Sequence, residues 1–329
     1  AVGRGDRARR AMSAAASWAA EIAGPAPARV SWLAAADGPR LRVALWRPEG
    51  PPRALVHLLP GRTEYLEKYA PLGRRLAEAG VAAAALDWRG QGLSDRDPRV
   101  GRLGHVESFA DYALDLDAFL GWPEAVALPG PRLAMAHSMG GCIALRGLVS
   151  GAFSPDAVLF SAPMWGLAQP APLLALAGAL ARSARALGLG RLAAPGQGGA
   201  APYVLSVSPE RNVLVSDPRA FDRLRHEVST RPDLAVHAPT LAWLAAALEE
   251  TAALRRAPAL GVPATVLLGD AEAVVSAAAI RARAAADPVL EVADVPGARH
   301  EPLMEPPDGA PGAAVAAAIE RFLARHAPR

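Results

Sequence analysis

At 329 residues, with 52% hydrophobic and 20% charged residues, the chain is long enough for a large core and too apolar to stay disordered. Its formal net charge of +3 comes from arginines that are dispersed rather than gathered into a stripe, which argues against nucleic acid as a partner. Cys142 is the one cysteine, which excludes an internal disulfide and a cysteine-based zinc site and fits a reducing, cytoplasmic setting.

The opening AVGRGDRARRAMSAAASWAAEIAGPAPA sets arginines before an alanine-rich stretch, as a signal peptide does, but that stretch is weakly apolar and contains Glu21. Residues 1–29 are therefore expected to be a flexible leader, with Met12 a candidate start. From residue 41, apolar runs alternate with helix-like stretches: LRVALW, ALVHLL, VAAAALD, RLAMAH, AVLFS, ATVLLG and PVLEVAD read as strands buried on both faces. YLEKYAPLGRRLAEAG and FADYALDLDAFLGW between them carry helical spacing. The alternation predicts an α/β fold, a mostly parallel sheet flanked by helices.

The rhythm stops between 163 and 255. There the chain offers an Ala/Leu-rich stretch, a Gly/Pro-rich loop, and two more helical segments, RAFDRLRHEV and PTLAWLAAALEET, with no strand. This predicts a helical cap inserted into a core made of 30–162 and 256–329. The run APLLALAGALA at 171–181 stops at Arg182, too short to cross a bilayer.

The stretch LAMAHSMGGCI sets Ser138 between a strand-like and a helix-like segment. A serine hydroxyl attacks well only when presented clear of its backbone, beside a base and near donors for a developing oxyanion. A sharp strand-to-helix turn does this, and its tightness asks for small residues two before and two after the serine, the G-x-S-x-G elbow. Here these are Ala136 and Gly140. The backbone N–H of Met139 is one expected oxyanion donor, and that of Arg62, after Gly61 in HLLPGRTEY, is the other; a simple turn is the alternative for that loop. His137 is expected to pack away from the serine.

The base is expected at His300, in the loop VPGARHEPLMEP that follows the last strand-like run, with His105 as a rival lining the site. His57 reads as a core histidine. The acid is expected after ATVLLG, at Glu272 or, as the alternative, Asp270; either carboxylate could orient the histidine. GLGRLA at 188–193 mimics a dinucleotide loop but follows helix-like sequence and opens no helix. No motif calls for a metal or a cofactor.

With AHSMGG, the segments LPGRTEYLEKY, DWRGQGLSDR, GHVESFADYALDLDAFL, NVLVSDPRAF and PGARHEPLME make the chain resemble the α/β-hydrolases, within them the bacterial lysophospholipase and monoacylglycerol lipase branch, from about residue 30 onward. The resemblance implies a triad at Ser138, Glu272 and His300, oxyanion donors at Arg62 and Met139, and a cap that shapes an acyl pocket, for which Trp165, Leu173 and Leu176 are the candidate contacts. Asp87, Arg89, Gly90 and Gly92 match the family's buttressing loop. Ala136, Pro60 where His is usual, and a glutamate as the acid depart from the family pattern. The expected activity is hydrolysis of carboxylic esters of monoacyl lipids, with peripheral contact to a lipid surface. A serine aminopeptidase or amidase is the runner-up, and a non-catalytic ligand-binding protein of the same fold is the reading from another class.

Overall fold

The computed structural model describes residues 15–195 and 201–327. Among them an eight-stranded sheet comprises β1 (Arg29–Ala34), β2 (Arg40–Trp46), β3 (Leu55–Leu59), β4 (Ala82–Leu86), β5 (Arg132–His137), β6 (Ala157–Ser161), β7 (Ala264–Gly269) and β8 (Leu290–Val295). The strands lie in the order β1-β2-β4-β3-β5-β6-β7-β8. β2 runs antiparallel to β1 and β4, and every other pairing is parallel.

The longer helices of the sheet layers are α1 (Ala70–Glu78), α2 (Phe109–Leu120), α3 (Ser138–Ser150), α7 (Ala277–Ala286) and α8 (Ala310–His326); α4 (Ala171–Ala186), α5 (Pro218–Thr230) and α6 (Leu241–Leu254) lie between β6 and β7. Successive residues of a strand point to opposite faces, so a strand apolar throughout feeds two cores at once. Leu55 and Leu59 of β3 and Ala134 and Ala136 of β5 join Phe119 of α2 and Ile143 of α3 on one face. Val56, Leu58, Leu133 and Met135 join Leu76 of α1 and Phe322 of α8 on the other. Cys142 of α3 is fully buried in the first of these cores.

Two expectations change. β1 lies outside the apolar runs: its sequence RVSWLA sets Arg29 and the buried Ser31 among apolar residues, which breaks the continuous apolar run that marks a strand of the parallel interior. The supposed leader is also packed over its described part, residues 15–29. Ala16 donates to the Val30 carbonyl (3.1 Å), Trp18 meets Trp46 edge-on at 6.0 Å, and Ser17 offers its carbonyl to the buried Arg42 guanidinium (3.0 Å). Weak hydropathy hid this because the segment is held by specific partners, a carbonyl and an aromatic edge, rather than by a periodic apolar face. Residues 1–14, with Met12, lie outside the described residues.

Between β6 and β7, α4 packs on α6 through small residues: Gly178, Ala181 and Ala184 are its buried positions, and Ala181 and Ala184 cluster with Leu241 and Ala245. Small residues let two helix backbones approach closely, and they leave the large side chains of α4 on the opposite side.

Candidate active site

β5 ends at His137 and α3 begins at Ser138 with no intervening loop. The reversal of direction falls on one residue, and Ser138 takes φ +48°, a conformation costly for a residue with a Cβ and held only by the surrounding structure. Gly140 shows how tight the turn is, because a Cβ there would lie 2.1 Å from the Leu59 carbonyl oxygen. Ala136 causes no such conflict; it is fully buried in β5, where its methyl belongs to the core.

The elbow aims Ser138 at His300. Ser138 Oγ and His300 Nε2 are 3.0 Å apart, and His300 Nδ1 lies 2.8 Å from Glu272 Oε2. The other carboxylate oxygen of Glu272 accepts N–H bonds from Val274 (2.6 Å) and Val275 (3.0 Å). Burial opposes ionisation of Glu272, but the bond to His300 and these two amides outweigh it and hold its pKa below the ordinary carboxylate value. An ionised carboxylate on Nδ1 requires the proton to sit there, which leaves Nε2 free to accept from the serine. Asp270 instead accepts the Gly297 N–H (2.8 Å), at the turn that leads into the histidine loop.

Two backbone amides lie beside Ser138, that of Met139, the next residue, and that of Arg62, which follows Gly61. Neither the Met139 nor the Arg62 backbone N–H donates to a protein acceptor among the described residues, and the first sits in the opening turn of α3, where unpaired N–H groups and the helix dipole favour negative charge. Gly61 brings the other loop close: a Cβ on it would lie 3.2 Å from Ser138 Cβ and 2.9 Å from the His137 ring. The loop is fastened from behind, since Trp88 donates its indole N–H to the Pro60 carbonyl (2.8 Å), Thr63 donates to Gln91 Oε1 (2.7 Å) and Leu66 to Asp87 Oδ1 (2.8 Å). Asp87 also binds Arg42 (2.8 Å), which binds Glu67 (2.6 Å).

A buried ionic cluster beside His300 was missed from sequence. Lys68 Nζ lies 2.8 Å from Glu64 and 2.7 Å from Glu301. Glu64 also takes the Tyr69 hydroxyl (2.7 Å) and the Gly61 N–H. Burial works against the charge on Lys68, yet the two carboxylates outweigh it and raise its pKa. The cluster thus ties the Gly61 loop to the residue that follows His300. A signal was present: Lys68 is the single lysine in a chain rich in arginine, and a compact ammonium can sit between two carboxylates where a planar guanidinium fits less readily. His137 flanks the cluster; its Nδ1 lies 2.9 Å from the Ser161 carbonyl and its ring 4.9 Å from that of His300.

The histidine loop is bound to the segment before α5. His300 and Glu301 donate to the carbonyls of Val213 (3.2 Å) and Leu214 (2.7 Å), and Glu305 accepts from Ser216 (2.5 Å) and Asp217 (3.2 Å).

Ser138 and His300 open onto a cavity of about 390 Å³. Its apolar wall includes Met164, which follows β6, Val274, which follows β7, and Leu224, Val228, Trp243 and Leu244 from α5 and α6. The expected acyl contacts are corrected here. Leu173 and Leu176 line no part of it and are 53% and 68% exposed, because the seam of α4 is made of its small residues. Trp165 is buried beneath the site, edge-on to Phe160, with its indole N–H on the Gly141 carbonyl (3.2 Å). His105 does not line the cavity either; its Nδ1 lies 2.9 Å from the Thr240 hydroxyl oxygen at the start of α6. His57 lies between Phe119 and Phe153, where burial pushes its pKa down to about 4.

A sheet of this order, with a serine, a histidine and a carboxylate joined in sequence across its carboxyl ends, defines an α/β-hydrolase. The family model described as serine aminopeptidase, S33 matches residues 50–307, and the chain belongs to that family. It is 34% identical over 201 residues to lysophospholipase L2 of Escherichia coli (strain K12), a match covering 58% of this chain and 55% of that one. It is 31% identical over 111 residues to a monoacylglycerol lipase of Mycolicibacterium smegmatis, 34% of this chain and 38% of that. The chain thus spans about half the length of the curated relatives it matches, or less. A soluble variant of monoglyceride lipase from Saccharomyces cerevisiae, solved with a substrate analog, superposes with a TM-score of 0.72 at 18% identity, covering 95% of this chain and 100% of that one. That likeness is one of fold. No helix among the described residues is long and apolar enough to cross a membrane.

Proposed function

We propose that the protein hydrolyses carboxylic esters of monoacyl lipids through an acyl-enzyme. The carrying observation is the unbroken relay from Glu272 Oε2 through His300 to Ser138 Oγ, 2.8 and 3.0 Å, at the mouth of a mostly apolar cavity. Ser138 attacks the ester carbonyl while His300 takes its proton. The oxyanion meets the N–H groups of Arg62 and Met139, and His300 returns the proton to the leaving alkoxide. Water then repeats the sequence on the acyl-enzyme. Glu272 holds the imidazole tautomer and balances its positive charge, and Asp270 shapes the turn at Gly297. Residues 163–255 act as a cap whose inner helices, α5 and α6, wall the acyl chain.

The family description favours one other reading, a serine aminopeptidase. An aminopeptidase needs a free carboxylate for the substrate ammonium. The carboxylate on the cavity wall is Glu301, already paired with Lys68, which supports the ester reading. A complete relay likewise speaks against a purely ligand-binding role. A lone cysteine supports a cytoplasmic setting, and the exposed leucines of α4 support contact with a lipid surface. The test is turnover on monoacylglycerols, lysophospholipids and aminoacyl anilides, with a fluorophosphonate probe reporting on Ser138. Turnover of anilides alone would replace this proposal with the peptidase.

A further inference from the structure

Arg62 stands out among the cations of the site. The two fully buried or nearly buried arginines of the sheet domain each hold two carboxylates: Arg42 binds Glu67 and Asp87, and Arg89 binds Asp37 and Asp115. Lys68, the other fixed cation on the cavity wall, is neutralised by Glu64 and Glu301. The Arg62 guanidinium lines the same cavity but has no carboxylate within ion-pair distance among the described residues. One of its nitrogens donates to the His237 carbonyl (2.9 Å), and its plane rests over the Trp243 ring at 5.4 Å. These contacts fix its orientation and leave most of its five N–H groups without a protein acceptor. The Arg62 side chain is half-buried, and a partly desolvated guanidinium not matched by an anion is an unbalanced charge; desolvation pushes its pKa down to about 10, which still leaves it protonated at neutral pH.

We infer that the Arg62 side chain is an anion subsite that selects esters whose alcohol portion carries a phosphate. This rests on the ester-hydrolase reading and deepens it. The backbone of Arg62 lies in the loop that nearly touches Ser138 at Gly61, while its stem carries the guanidinium several bonds further along the cavity. A glycerol ester places a phosphate several bonds from the acyl carbonyl in the same way. A carbonyl held at the oxyanion amides can therefore present its phosphate to the fork of the same residue, whose geometry matches two phosphate oxygens. The carboxylate of the wall, Glu301, does not oppose this, since Lys68 holds it.

The test compares three esters with one dodecanoyl chain: the neutral glycerol ester, the glycerol 3-phosphate ester and the glyceric acid ester. They are assayed on the wild type, Arg62→Met and Arg62→Lys. The kcat/KM ratio of phosphate to neutral ester is expected to fall by about 10- to 100-fold in Arg62→Met, the range for losing a charged hydrogen-bond partner, and to recover partly in Arg62→Lys. An equal fall for the carboxylate ester would make the subsite one for any anion and overturn the assignment to phosphate. A ratio unchanged within about twofold would overturn the subsite altogether and reduce Arg62 to a pin between its loop and the His237 carbonyl. If Arg62→Met does not fold, Arg62→Lys and the wild type carry the test through octyl phosphate, which should raise the wild-type melting temperature more than octanol does. Equal shifts would sink the inference. A wild type that neither reacts with the fluorophosphonate nor cleaves any of the esters would sink the hydrolase reading instead, and the octyl phosphate shift would still read the subsite.

Discussion

The elbow at Ser138 and the outer face of the cap are built on opposite terms. At the elbow, backbone geometry decides: one residue at φ +48° turns a strand into a helix, and Gly140 passes so close to the Leu59 carbonyl that no side chain fits. On α4, Gly178, Ala181 and Ala184 make the seam while Leu173, Leu176 and Leu180 face outward. Where the main chain fixes a position, the identity of a residue states its role; where only helix rotation does, apolar character alone does not say which way a side chain points.

The comparison can be broken from the elbow side first. Ser138→Ala should remove probe labelling and lower turnover by about 10⁴-fold or more, with the melting temperature little changed; retained labelling would place the nucleophile elsewhere. Glu272→Gln comes next, with a loss of about 10⁴-fold in kcat, because the histidine is released to the wrong tautomer, whereas Asp270→Asn should cost far less. Glu272 also predicts a pH effect. Its folded-state pKa lies below the unfolded value near 4.5, so on acidification the unfolded chain takes up the proton first. Its stabilisation is complete above about pH 4.5 and disappears as pH falls through the lowered native value. Melting temperatures measured across that range should fall less steeply in Glu272→Gln, and an unchanged slope would disprove the ionised pair.

Lys68→Met should rank third for activity and first for stability. It leaves Glu64 and Glu301 buried beside each other without their cation, and breaking such a pair costs about 3–5 kcal/mol, read as a shift in the denaturant midpoint. Within the cap, Leu224→Asn, on the inner wall, should lower kcat/KM for long-chain esters relative to short ones by about tenfold, the effect of one to two kcal/mol of lost apolar contact. Leu176→Ser, on the outer face, should move stability by no more than about 0.5 kcal/mol and leave the chain-length preference unchanged. If the outer substitution changes that preference and the inner one does not, the assignment of the two faces is reversed.

Much of this was legible in the sequence. Seven of the eight strands were marked by apolar runs, and Ser138 and His300 were marked by motif and chain order. Glu272 could be narrowed only to a pair with Asp270, since two carboxylates two residues apart differ in direction and not in kind; the side chains diverge, one to His300 and one to the Gly297 turn. The Glu64, Lys68 and Glu301 cluster was hidden because Glu301 lies more than 200 residues from the other two in the chain and meets them only when the segments after β3 and β8 close on each other. β1 escaped notice because Arg29 and Ser31 interrupt its apolar residues, so it carries no continuous run like those of the parallel strands.

Cys142 gives the molecule an internal timer. Its thiol lies one helical turn beyond Ser138, fully enclosed, and burial drives its pKa well upward, so a thiol reagent in solution meets neither an accessible sulfur nor a thiolate. Reaction must wait for the core around α3 to open. With reagent in excess, the rate of modification then counts openings around the very helix that carries the nucleophile, as hydrogen exchange counts openings of an amide. Because the protein has no other cysteine, mass spectrometry of the intact chain would read that rate without further engineering, in the presence or absence of a lipid in the cavity.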